Sequence, residues 1–71
     1  MAEPINALNN FAQSRHLTVS YTDTHTGTQH AGVWISIVYI NGVEHGRATG
    51  SNRNAARAGA AQIALNVLEL V

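Results

Sequence analysis

The chain has 71 residues, no cysteine, and four arginines set against four acidic residues. That length allows one small domain near the lower limit at which a core folds unaided, and the missing cysteines exclude a disulfide framework and a thiolate metal site. A formal net charge of zero gives no overall field toward a polyanion, so such a partner must be met by the placement of charge rather than its total.

Pro4 suits the first turn of a helix. From there to His16 the apolar residues Ile5, Leu8, Phe11 and Ala12 recur at helical spacing, opposite an uncharged amide stripe of Asn6, Asn9, Asn10 and Gln13. Residues 17–22 alternate strictly, with Leu17, Val19 and Tyr21 on one face and Thr18, Ser20 and Thr22 on the other, which predicts a half-buried strand. Residues 23–32, DTHTGTQHAG, are polar and rich in turn formers and read as an exposed loop. Trp34 to Ile40 is β-branched and aromatic, Asn41-Gly42 is a strong hairpin signal, and a third strand is expected over Val43 to Thr49. Ser51 and Asn52 are both good caps for a last helix, whose interior is rich in alanine.

The fold class expected is α+β: an α-β-β-β-α two-layer sandwich over residues 1–71, with both helices packed on one face of a three-stranded antiparallel sheet. Its core would comprise Leu8, Phe11, Leu17, Val19, Tyr21, Trp34, Val38, Ile40, Ala48, Ala60, Ala64, Leu65 and Leu68. The helical wheel puts Arg53 and Arg57 on the same broad arc as Ala60, Ala64 and Leu68. The arginines should therefore overhang the edge of the surface on which the helix packs. They also lie at the helix end where backbone amides are unpaired and the macrodipole is positive, a natural phosphate site.

Gly46, Ala48, Gly50 and Asn52, followed by Arg53, Asn54, Ala56, Arg57, Ala60, Ala61, Ala64 and Leu65, resemble the C-terminal half of the double-stranded RNA-binding domain. That family carries Gly-x-Gly-x-Gly-x-Ser and then Lys-Lys-x-Ala-Lys-x-x-Ala-Ala-x-x-Ala-Leu. Asn54 stands where the middle lysine is usual. The family's Gly-Pro-x-His loop is matched by Gly27, Thr28, Gln29 and His30, spaced correctly before Trp34 but without the proline. The resemblance extends over essentially the whole chain and its element order.

It implies shape recognition of double-stranded RNA. Asn6, Asn9, Asn10 and Gln13 would meet one minor groove and the loop 27–30 another, while Asn52, Arg53, Asn54 and Arg57 meet phosphates across the major groove between them. A-form RNA hides its base edges and displays 2′-hydroxyls and phosphates, and an amide can both donate to and accept from a hydroxyl.

The alternative is a protein-interaction or dimerisation module on the same fold with weak or no RNA binding. If Trp34, Ser36, Val38 and Ile40 face the helices, then Ile35, Ile37 and Tyr39 point outward, a surface fit for a homodimer or a protein partner. No enzyme is expected, since a nucleophile elbow, a phosphate-cradling loop and paired carboxylates are all missing from the sequence. No cofactor or metal is expected either. The start MAEPINALNN lacks the plan of a signal peptide and no apolar run reaches the length of a membrane span, so the expectation is an intracellular protein without membrane contact.

Overall fold

The computed structural model describes residues 3–27 and 32–69. Within them α1 (Glu3–Ser14), β1 (Val19–Thr26), β2 (Val33–Ile40), β3 (Val43–Gly50) and α2 (Arg53–Glu69) follow one another in the expected order. The strands form one antiparallel sheet ordered β1-β2-β3, and the helices share a core on one of its faces.

Helix α1 buries Leu8 and Ala12 completely or nearly so and half-buries Ile5 and Phe11. It stops because the chain turns left-handed at His16, where φ is 58°. The His16 amide then donates to the Gln13 carbonyl at 3.3 Å and the Leu17 amide reaches back to the Ala12 carbonyl at 2.9 Å. This paired closure satisfies carbonyls that the helix end would leave orphaned. Histidine in this conformation is strained by its Cβ, a cost that glycine would not carry.

Strand β1 begins two residues later and ends four residues later than its alternation suggested, so Asp23, Thr24, His25 and Thr26 are paired strand residues rather than loop. The polar composition hid this. Each of the four finds a partner on β2, and backbone pairing is indifferent to side-chain polarity. The hairpin at Asn41-Gly42 has both residues at positive φ, 50° and 83°, as the tight turn matching strand twist requires. Asn41 also ties the start of β1 to the end of β2: its Oδ1 accepts from the Thr18 amide at 2.9 Å, and its own amide donates to the Thr18 carbonyl at 2.8 Å. On β3 a bulge places Tyr39 opposite Glu44 and Val38 opposite Gly46, leaving His45 as the extra residue.

Helix α2 lies against β3 at backbone distance. A Cβ added to Gly46 would strike the Ala60 carbonyl, and one added to Gly50 would come within 2.6 Å of the Ala56 amide. Ala56, Ala60, Ala61, Ala64 and Leu65 are buried beneath it.

Leu8, Val38, Ile40, Ala60, Ala64 and Leu65 take their expected places, and Phe11, Leu17, Val19, Tyr21, Ala48 and Leu68 are half-buried around them. Trp34 is a correction. It faces the helix side but sits at the end of the sheet, where its neighbours are a histidine and an arginine, and it is outside the buried cluster. Ala12, Ala56 and Ala61 are buried in addition. Among the described residues no helix is long and apolar enough to cross a membrane.

Two substitutions test this packing by urea or thermal unfolding. His16→Gly should raise stability by about 1 kcal/mol through relief of left-handed strain. Gly46→Ala should lower it by about 1–3 kcal/mol, the usual cost of overpacking; wild-type stability there would mean that α2 does not touch β3.

Candidate nucleic-acid interface

The four amides of α1, Asn6, Asn9, Asn10 and Gln13, are all exposed. Their spacing of three and four residues lines them along one side of the helix, opposite buried Leu8 and Ala12. Asn9 and Gln13 also border a shallow open depression completed by Ala12, Leu17 and Val19. A chain of 2′-hydroxyls could be met here by donors and acceptors that carry no charge. Gly27 is exposed at the end of β1 with φ 84°, whereas Thr28, Gln29 and His30 lie outside the described residues.

At the start of α2 the candidate residues divide by task. Asn52 is the cap: its Oδ1 accepts from the Ala55 amide at 2.8 Å and its carbonyl from the Ala56 amide at 3.1 Å, which secures the first turn. Asn54 and Arg53 are exposed. Arg53 lays its guanidinium 4.9 Å from the centre of the Trp34 ring, and Trp34 in turn lies 5.0 Å from the His25 ring. Among the described residues Arg53 has no carboxylate at ion-pair distance.

One turn further along, Arg57 is held. Its Nε donates to Asp23 Oδ2 at 2.9 Å, its Nη2 donates to the same oxygen, and its guanidinium stands 5.0 Å over the Tyr21 ring. The other carboxylate oxygen, Asp23 Oδ1, accepts from the Ser36 hydroxyl at 2.9 Å. Ser36 is fully buried, and the Asp23 side chain is only 11% exposed against 34% for Arg57. The Arg57 hydrogen bonds hold the Asp23 carboxyl below its ordinary range, helped by Ser36 and opposed by burial. Burial pushes the neighbouring Tyr21 phenol upward, and its hydroxyl has no hydrogen-bond partner among the described residues.

The sheet register explains why these groups meet. His25, Trp34 and Gly50 form one cross-strand row, and Asp23, Ser36 and Ala48 form the next. Arg53 comes down on the first row and Arg57 on the second, since four residues of helix advance about 6 Å along the axis. Asp23, Ser36, His25 and Trp34 escaped the sequence reading of the site. Continuing the Val19–Tyr21 alternation two steps further would have turned Asp23 toward the helices.

The other two arginines are engaged elsewhere. Arg47 pairs with Glu44 at 3.0 Å on the surface, and Arg15 covers the Phe11 ring at 3.8 Å. Ile35, Ile37 and Tyr39 do face away from the helices, but they are half-buried rather than bare. Their strand is central, and Thr22, Thr24, Arg47 and Thr49 stand beside them on the flanking strands. Among the described residues no three His, Asp or Glu side chains converge to hold a metal.

The profile of the double-stranded RNA binding motif matches residues 4–68. Among solved structures, one that reports Arabidopsis HYL1 and its implications for miRNA processing superimposes with a TM-score of 0.84 at 30% identity, covering 93% of this chain and 96% of that one. The first double-stranded RNA-binding domain of HYL1 superimposes with a TM-score of 0.77 at 32% identity, covering 89% and 92%. No curated protein sequence matches.

The linked polar groups give a signed expectation for pH. Because the folded-state value of Asp23 is depressed, its contribution to stability is present above the unfolded carboxylate value, near pH 4, and is lost as pH falls through the folded one. Thermal midpoints measured from pH 6 to pH 2.5 should fall more steeply for the wild type than for Asp23→Asn. Tyr21→Phe removes an unpartnered hydroxyl and should leave stability unchanged or slightly higher. A loss above about 1 kcal/mol would show that the hydroxyl is bonded in solution.

Proposed function

We propose, because the chain belongs to the double-stranded RNA-binding domain family, that it binds double-stranded RNA by the shape of the duplex and with little regard to sequence. The observation that carries this reading is the polar face of α1: four exposed amides at helical spacing and no charge among them. Amides of this kind suit 2′-hydroxyls, which only RNA displays.

Asn6, Asn9, Asn10 and Gln13 would occupy one minor groove, and Gly27, Thr28, Gln29 and His30 the next. Between them Arg53 meets backbone phosphate, with Asn54 beside it as a neutral donor. Asn52 serves mainly by fixing the helix end. Arg57 joins through the three N–H groups that Asp23 leaves free, out of the five that a guanidinium carries. Phosphate contacts position such a protein without informing it of sequence. With so few cations, discrimination rests on the amides. We place this work inside the cell, where RNA duplexes are made.

Titration with a perfect RNA duplex of about two helical turns, beside DNA of the same sequence, tests the reading. RNA should bind and DNA should bind at least tenfold more weakly, a gap that three or four lost hydrogen bonds easily supply. Asn10→Ala should narrow that gap while Arg53→Gln weakens both partners alike. Equal affinity of the wild type for the two duplexes would overturn the proposal.

A further inference from the structure

Asp23 is an odd residue for its position. It lies on the helix-facing side of a sheet, in line with Val19 and Tyr21, where an alternating strand places apolar side chains. Both of its oxygens are occupied by the protein: Oδ2 by two N–H groups of Arg57 and Oδ1 by the hydroxyl of fully buried Ser36. The serine cannot turn away to solvent, and the carboxylate is more deeply set than the guanidinium that it holds. An approaching phosphate therefore meets Arg57 with its charge already compensated at contact distance. Arg53, one turn earlier, rests on an uncharged indole with no carboxylate at ion-pair distance among the described residues, and Asp23 reaches it only through space.

We propose that Asp23 is a built-in competitor of the RNA backbone, which anchors Arg57 to the sheet and sets RNA affinity below the level that the two helix-end arginines would otherwise give. The inference rests on the RNA-binding reading above and adds to it the residue that tunes the same site. The charge accounting follows from position rather than from total. Of the two cations at the start of α2, one is neutralised by an acid that the fold cannot release without uncovering Ser36.

The slope of log affinity against log salt counts the phosphates neutralised, at about 0.9 for each in duplex DNA. Asp23→Asn preserves shape and an acceptor for Ser36 but removes the charge. It should steepen the slope for a two-turn RNA duplex by about 0.9 and raise affinity at low salt about twofold to fivefold, the worth of one exposed ion pair. Ser36→Ala leaves the carboxylate charged and should leave the slope unaltered, although stability falls. Arg57→Gln should weaken binding in the wild type, and in Asp23→Asn it should abolish the whole gain as well.

Circular dichroism melts of each variant establish that the folded protein is compared. Wild-type slope and affinity in folded Asp23→Asn would overturn the proposal. So would a gain that survives in the double variant, since that would be a general effect of net charge. If neither the wild type nor Asp23→Asn binds the RNA duplex, the binding reading falls and this inference with it.

Discussion

A Cβ on Gly46 would collide with the Ala60 carbonyl, so α2 and β3 meet backbone to backbone, and most of what the domain presents follows from that contact. With four alanines, Ala56, Ala60, Ala61 and Ala64, and a single leucine, Leu65, as its buried residues, α2 has little apolar volume to fill a gap. It must come close or lose the dispersion contacts that a chain of this size depends on. Once the helix is seated, its direction is fixed, and its first two turns are carried past the apolar core to the end of the sheet. There Arg53 and Arg57 come down on the rows His25–Trp34 and Asp23–Ser36. The same contact that supplies stability thus positions the cations.

Those cations are not equivalent, although the sequence shows them as a matched pair four residues apart. One rests on an aromatic ring, with no carboxylate at ion-pair distance among the described residues. The other is joined to a carboxylate that a buried serine holds from behind. In a chain of zero net charge this difference matters more than it would in a basic one, because no general field compensates for a cation turned inward. On the proposed reading the amides of α1 would bear much of the recognition by hydrogen bonding, which added salt weakens far less than ion pairing.

The fold was legible because its strongest signals were local. Alternation marked the first strand, Asn41-Gly42 marked the hairpin, and the caps Ser51 and Asn52 with the alanine-rich run behind them marked the last helix. The helical wheel also foresaw that Arg53 and Arg57 would overhang the edge of the packed surface. What it could not supply was the opposing surface. Residues 23–26 look like loop because composition says nothing about pairing, and with Asp23 assigned to a loop its meeting with Arg57, 34 residues away, was invisible. Trp34 misled in the opposite sense: a large aromatic on the inward face reads as core, but at the end of the sheet only the first turn of α2 lies over it. The left-handed His16 had no signal at all, since glycine would be the expected residue there.

The central claim is that the amide face of α1 and the start of α2 bind the RNA duplex together while the outer face of the sheet stays free. Amide chemical-shift mapping during titration with a two-turn RNA duplex tests it most directly. The account predicts that perturbations concentrate at Asn6, Asn9, Asn10 and Gln13 and at Asn52 to Arg57, with little change at Thr22, Ile37 and Tyr39. Perturbations centred on Thr22, Ile37 and Tyr39, with α1 silent, would contradict it.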